Sequence, residues 1–490
     1  MQSLFENELI LVSNRGPFSY RRDRSGELVT ARGGGGLVTG LLGVAGSHDV
    51  TWIASAMTPE DAEVSLRMGG GRIAVEHGGH KLGLRFVVID SDTYHRYYSI
   101  IANPLLWFIQ HYLWDLSVAP DIRKSETDAW EQGYQVVNSY FADAVCDELD
   151  QRKEKRPVVM LHDYHLYTCP RLVRERNPDV FLHQFIHIPW PQSDYWRVLP
   201  RHIRRAVISG LLANDIVAFH TQRYVRNFLV CCEELLGLDV NHENDSVVVD
   251  GREVWARAYP ISIDCSEFDR LADSQAVLAE EEAIKELRRD HLILRVDRMD
   301  LSKNIVRGFK AFDMFLDEHP EFKQRITFLA LLQPSREDVE EYVEYRKKIM
   351  RVVEVINTKH GTTNWMPIDL RMQDNFSRSL ASYKQFDVLM VNAIYDGMNL
   401  IAKEAGLINR RDGVIILSEN TGAHEELGEF CITVGPFDLE SQAQAIFQAL
   451  VMPQDEKRQR AGMIRDTVRH NDINKWIETQ FIDIKQKMSG

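Results

Sequence analysis

The sequence contains no stretch approaching the roughly 18 apolar residues that a membrane span requires, and Met1–Glu8 lacks a basic-then-apolar leader. The expected address is therefore the cytoplasm. Cysteine is scarce: six residues without regular spacing exclude a disulfide framework, and the adjacent Cys231 and Cys232 read as small buried apolar residues. Basic charge is also in deficit, with 58 Lys and Arg against 72 Asp and Glu and a net charge of −14. A duplex nucleic-acid binder needs a basic face, so that class is disfavoured. An anionic ligand would have to be held by a few local cations, which makes individual arginines worth following. There are no repeats and no low-complexity segments.

The chain does have the makings of large cores. Its 490 residues are 44% hydrophobic and 27% charged, the profile of a globular protein of two or three domains. Short apolar runs alternate with amphipathic stretches, as in parallel α/β units. The runs predict strands at Leu9–Ser13, Thr51–Ala54, Leu84–Ile89, Val158–Leu161, Phe181–His187 and Asp215–His220. In the second half they predict Leu292–Val296, Ile326–Leu331, Asp387–Val391, Val414–Leu417 and Cys431–Val434. Several are almost wholly apolar, as strands covered on both faces are. A boundary is expected near Tyr259–Asp264 (YPISID), giving a first domain over 1–260 and a second over 261–470. Ligands of doubly wound domains bind outside the carboxyl ends of the strands. The last segment, 471–490, reads as a helix capped by Asn471 or Asp472, with Ile473, Trp476, Ile477, Phe481 and Ile484 on one face.

Several segments have the composition of a site. Arg15 ends a strand in Ser13-Asn14-Arg15, and its guanidinium suits a phosphate, although a surface arginine looks the same. Gly33 to Gly36 precede a helix-like segment, where bare backbone can approach a diphosphate. The run is neither GxGxxG nor a Walker loop, and a flexible turn is an equal reading. His162-Asp163-Tyr164-His165 closes one strand and favours a polar sugar contact over a metal cluster. His187 closes another and leads into a rigid Ile188-Pro189-Trp190-Pro191 loop, pointing either to a ligand or to a core partner. Arg298 and Lys303 flank a strand-to-helix turn, where together they could clamp a diphosphate. Asp396-Gly397-Met398-Asn399-Leu400 enters a helix whose amides can hold phosphate, and Glu404, one turn in, could accept both ribose hydroxyls. Ser335-Arg336 offers a further arginine. Asp90-Ser91-Asp92 fits the DxD pattern of a metal-binding sugar transferase, but in a chain with 72 acids chance explains it.

Taken in order, VSNR (12–15), GGL (35–37), YYSIIANPLLW (97–107), HDYHL (162–166), HIPWP (187–191) and YPISID (259–264) resemble the trehalose-6-phosphate synthase family of glycosyltransferases. The match continues through DRMDLSK (297–303), PSREDV (334–339), DGMNLIAKE (396–404) and NDINKW (471–476), nearly end to end. The resemblance implies an α/β GT-B fold, with two Rossmann-like domains facing across a cleft and the final helix crossing back to the first. It implies that Arg15, Tyr98, Trp107, Asp163 and Arg336 face an acceptor sugar phosphate. Gly35, Gly36, His187, Arg298, Lys303, Asp396, Gly397, Met398, Asn399 and Leu400 to Glu404 would face a nucleotide sugar. Asp396, His187, Arg298 and Lys303 would carry the chemistry.

The implied reaction is retaining transfer of glucose from UDP- or GDP-glucose to glucose 6-phosphate, with no metal or other cofactor. Small molecules would be its partners, not nucleic acid or membrane, and a homo-oligomer stays open. Three departures bear on the acceptor: Tyr395 precedes Asp396 where the family has arginine, Asn304 replaces glycine, and Ser55 stands where a second tryptophan is common. WIASA (52–56) and HIPWPQSDYWR (187–197) are also similar to validoxylamine phosphate synthases, which are pseudo-glycosyltransferases. A transferase for glycerol phosphate and an inactive sugar-phosphate sensor are the remaining alternatives.

Overall fold

A computed structural model of the chain describes residues 8–33, 41, 50–77, 80–152 and 156–489. The chain divides into two compact units, Met1–Tyr259 with Ile477–Gly490, and Pro260–Trp476.

The first unit is built on a ten-stranded sheet. Its strands are β1 (Leu9–Ser13), β4 (Val50–Ser55), β5 (Ile73–His77), β6 (His80–Val87), β7 (Val158–His162), β8 (Phe181–Phe185), β9 (Ile216–Phe219), β10 (Val240–Asn241), β11 (Ser246–Val249) and β12 (Arg252–Ala258), and a separate hairpin pairs β2 (Phe18–Arg22) with β3 (Leu28–Arg32). The order is β10-β11-β12-β9-β8-β7-β1-β4-β6-β5. Pairing is parallel from β12 to β6 and antiparallel at both edges. The chain runs outward from β1 in one direction and then returns to start again at β7. The β1–β7 border is therefore a topological switch point, where diverging connections leave room for a ligand.

The second unit holds a six-stranded sheet of β13 (His291–Arg298), β14 (Ile326–Gln333), β15 (Ile368–Arg371), β16 (Val388–Val391), β17 (Val414–Ser418) and β18 (Ile432–Val434). Its order, β15-β14-β13-β16-β17-β18, is parallel throughout and is the Rossmann winding, with its switch point between β13 and β16. Every strand read from an apolar run is present, with ends moved by a few residues. All six cysteines are buried free thiols. Among the described residues, no helix is long and apolar enough to cross a membrane.

The helix Ile473–Ser489 starts where the Asp472 carboxylate accepts the Lys475 amide at 3.0 Å, which settles the cap. Ile473, Trp476, Phe481 and Ile484 of the proposed stripe are buried and Ile477 half-buried. Its last turns lie on β12: Tyr259 Oη donates to Asp483 at 2.6 Å, and Lys487 Nζ pairs with Glu253 at 3.1 Å. The Trp255 ring is covered by Arg257 at 4.3 Å and by Lys487 at 4.5 Å. Asp483→Ala removes the acceptor of a buried hydroxyl, and a thermal melt should show a loss of about 1–2 kcal/mol.

Candidate functional site

In the first unit, polar residues gather where β1 and β7 end. The Asn14 carboxamide is buried, with Oδ1 accepting from Ser55 Oγ at 3.0 Å and Tyr97 Oη at 3.2 Å, while Nδ2 donates to Tyr94 Oη at 3.3 Å. Trp52 Nε1 donates to Ser13 Oγ at 2.8 Å, and that hydroxyl donates to the Arg15 carbonyl at 2.7 Å. The turn carrying Arg15 is thus held from below, and its exposed guanidinium reaches Tyr98 Oη at 3.4 Å. Tyr98 stacks between Tyr94 and His165, with centroids at 5.4 and 5.9 Å. Tyr97 and Tyr98 come from a wide π-helical stretch, Arg96–Leu106, that leads into Trp107. Trp107 is buried and stacked on His111 at 4.0 Å.

Asp163 follows β7 with a positive φ of 72°, and its carboxylate accepts the His187 amide at 3.2 Å. His187 Nε2 lies 3.2 Å from His162 Nδ1. The resemblance assigns Asp163 to the acceptor and His187 to the donor; the structure brings the two together. Burial, with His220, His162 and His183 around it, holds the His187 imidazole well below its ordinary pKa, so it is neutral at pH 7. A neutral ring can donate or accept one hydrogen bond to a sugar hydroxyl without adding charge. Gly33 donates to the Pro17 carbonyl at 2.7 Å, while Gly35 and Gly36 lie outside the described residues.

In the second unit the switch point carries the diphosphate candidates. Arg298 is the exposed last residue of β13, and a tight turn follows in which Asp300 Oδ1 accepts the Ser302 amide at 2.9 Å. Lys303 Nζ is ion-paired with Asp396, whose Oδ2 also accepts from Asn399 Nδ2 at 3.0 Å. Asn399 sits at φ 72° and starts the helix Leu400–Ile408, whose first amides have no intrahelical partner. The loop 396–398 packs against 420–423, with the Asp396 amide on the Asn420 carbonyl at 3.1 Å and the Ala423 amide on the Met398 carbonyl at 2.8 Å. A Cβ on Gly422 would stand 1.9 Å from the Gly397 oxygen, so only glycine allows this approach.

Glu404 accepts from Tyr383 Oη at 3.3 Å, and burial pushes its carboxyl up to about 7. Lys403 has a structural occupation: buried, it donates to the Ile261 carbonyl at 2.8 Å and pairs with Glu426 at 2.5 Å. Arg336 lies in this unit, at φ 47°, with its guanidinium on Asp300 Oδ2 at 2.7 Å and over the Tyr342 ring at 5.1 Å. Arg15 and Arg336 therefore belong to different units.

Two acidic groups with metal-like spacing have protein partners. Asp90 caps the helix Ser91–His95 by accepting the Thr93 amide at 2.9 Å, which gives the DxD pattern a structural role. Asp313, Asp317 and His360 have ligand spacing, but the Lys359 ammonium sits among them, 2.9 Å from Asp313 and 2.5 Å from Asp317. Sequence reasoning missed Tyr383 and Tyr94, for which no motif exists, and Ser55 as a hydrogen-bonding member of the site. Asn14 adjoins Arg15 and was legible.

The sequence profile of glycosyltransferase family 20 matches residues 7–486. The α,α-trehalose-phosphate synthase [UDP-forming] 1 of Aspergillus fumigatus is 33% identical over 465 residues, covering 92% of this chain and 85% of that protein. The validamine 7-phosphate valienyltransferase of Streptomyces hygroscopicus is 30% identical over 478 residues, covering 97% and 93%. An E. coli trehalose-6-phosphate enzyme solved with UDP-2-fluoro glucose superposes with a TM-score of 0.83 at 27% identity, covering 98% of this chain and 99% of that one. With this architecture, two Rossmann-like units and a polar switch point in each, the protein is a GT-B glycosyltransferase and belongs to glycosyltransferase family 20.

Proposed function

We propose that the protein transfers glucose from UDP-glucose to glucose 6-phosphate, with retention, giving trehalose 6-phosphate and UDP. The observation that carries this is the Lys303–Asp396–Asn399 cluster between Arg298 and a helix start at the second switch point. It joins positive charge to oriented amides where a departing diphosphate needs both. Glu404 is assigned to the ribose of the donor, and Asp396 and His187 to its hexose. Arg15 and Tyr98 are assigned to the phosphate end of the acceptor, and Trp107, Asp163 and Arg336 to the acceptor as well. Gly35 and Gly36 complete the donor side.

In the reaction the anomeric carbon–phosphate oxygen bond breaks as the acceptor hydroxyl attacks from the same face. The hydroxyl proton passes to the leaving phosphate oxygen. No side chain is required as a covalent nucleophile. Arg298, Lys303 and the helix amides carry the developing charge, the task a divalent cation performs in other transferases, so turnover should proceed in excess chelator. The site of action is the cytoplasm.

A second reading, pseudo-glycosyl transfer to a cyclitol phosphate, has the valienyltransferase similarity and Ser55 in its favour. Incubation with UDP-glucose, GDP-glucose or a nucleotide-activated valienyl cyclitol and a panel of glucose 6-phosphate, glycerol phosphate and validamine 7-phosphate, read by product mass, separates the two. A trehalose phosphate from UDP-glucose is the expected product, and nucleotide-sugar binding without turnover on any acceptor would reject catalysis. Arg15→Ala should raise the KM for glucose 6-phosphate about tenfold or more, with the KM for UDP-glucose unchanged in initial-rate assays.

A further inference from the structure

A buried polar network lies behind the donor turn, and the proposed chemistry does not use it. Arg295, on β13, is fully buried. Its Nη1 donates to the Lys303 carbonyl at 3.3 Å, its Nη2 donates to Asn392 Oδ1, and its Nε stands 3.7 Å from the Asp297 carboxylate. Asn392 Nδ2 donates to Gln442 Oε1 at 2.6 Å and to the Asn304 carbonyl at 3.4 Å. Asn304 Nδ2 returns the contact to the Asn392 carbonyl at 2.9 Å and reaches the Pro436 carbonyl at 2.6 Å.

Asn304 is also the residue standing where glycine is usual, and the structure explains why asparagine is tolerated. The position has φ 57°, a left-handed conformation that asparagine adopts more readily than other side chains. The carboxamide then serves as a strut that glycine lacks. Space for the guanidinium comes from Gly308 in the helix Ile305–Glu318, where a Cβ would stand 3.2 Å from Arg295 Nη2 and 3.1 Å from Met390 Sδ. The helix thus accepts a residue of low helix propensity beside the network.

Stability alone is a poor reason for such an arrangement. A buried ion pair is often no better than apolar residues of the same volume, while breaking one is costly. What the network does hold is the turn: the Lys303 carbonyl on one side, and the Asn304 main-chain carbonyl and carboxamide nitrogen on the other. Lys303 is therefore fixed at its main chain, and its ammonium alone is left to exchange Asp396 for a ligand.

We propose that Arg295 is a positioning residue for diphosphate binding, acting with Asn304, Asn392 and Gln442 to fix the turn that presents Lys303. This rests on the reading of Lys303 as a diphosphate ligand. The effect should fall on the phosphates and spare the nucleoside. Calorimetric titration of UDP and of uridine into wild type, Arg295→Lys, Asn304→Gly, Gln442→Ala and Lys303→Ala tests it.

Arg295→Lys and Asn304→Gly should each weaken UDP about tenfold while uridine affinity stays unchanged. Asn304→Gly keeps the left-handed turn accessible, so it and Gln442→Ala decide the matter if Arg295→Lys does not fold. Wild-type UDP affinity in Asn304→Gly and Gln442→Ala, or equal losses for UDP and uridine, would overturn the proposal. Wild-type UDP affinity in Lys303→Ala would instead remove the clamp on which it rests.

Discussion

Replacing Lys303 by alanine should lower turnover about a hundred- to a thousandfold, the usual consequence of removing one preorganised group that stabilises developing charge. Lys303 and Asp396 are each 14% exposed at their side chains, so the pair is mostly shielded from bulk water. A cation there acts on a leaving diphosphate through a lower effective dielectric than at an open surface. Folding should also lose about 1–3 kcal/mol, between the cost of an exposed and of a buried pair, because Asp396 loses its cation but keeps its bond from Asn399. Initial rates of UDP release and a thermal melt on the same variant separate the two effects. Wild-type turnover would reject the clamp.

Glu404→Gln should reverse sign between stability and activity. The carboxyl would release its proton at its ordinary value of 4.5 when unfolded, but burial holds the proton until about 7 in the fold. Between those values the folded state binds more protons, so the stability contributed by the neutral acid is complete below 4.5 and lost as the pH rises through 7. Glutamine, permanently neutral, avoids that loss. The variant should match wild type at pH 4 and exceed it by about 1–3 kcal/mol at pH 8 in denaturant titrations. Its kcat/KM for UDP-glucose should nevertheless fall about tenfold, because an amide oxygen replaces a carboxylate in holding two ribose hydroxyls. In wild type, UDP affinity should strengthen from pH 6 to pH 8 as Glu404 ionises, and this dependence should vanish in the variant.

The sheets were legible because strands covered on both faces leave unbroken apolar runs, as in LILVS of β1 and VIILS of β17. The hairpin of β2 and β3 was not: FSYRR and LVTAR carry charge on partly exposed edges, where no apolar run survives. β12 escaped for the same reason, since REVWARA intersperses charged residues with the buried Val254 and Ala256 near the sheet margin. Strand ends also marked much of the candidate site. Arg15, Asp163, Arg298 and Asp396 follow strands at the two switch points, which is where winding order alone would place a ligand.

What the sequence concealed is the fate of buried charge. Arg295 sits in the apolar run of β13 without any sign that it reaches the Lys303 carbonyl. Lys403 belongs to a motif, yet it serves the Ile261 carbonyl and Glu426. Arg336 was read as a phosphate ligand with no hint of its bond to Asp300. The Lys403 and Arg336 pairings join residues tens of positions apart or more, and the shorter step from Arg295 to Lys303 crosses a strand-to-helix turn, so local spacing encodes none of them.

The account depends on the protein itself supplying the positive charge that holds the pyrophosphate. Calorimetric binding of UDP in excess EDTA, to wild type and to an Arg298→Ala, Lys303→Ala double variant, addresses this most directly. Unimpaired binding by wild type and a loss of about a hundredfold or more in the double variant is the predicted result. Binding that disappears from wild type in EDTA, or persists undiminished in the double variant, would contradict it.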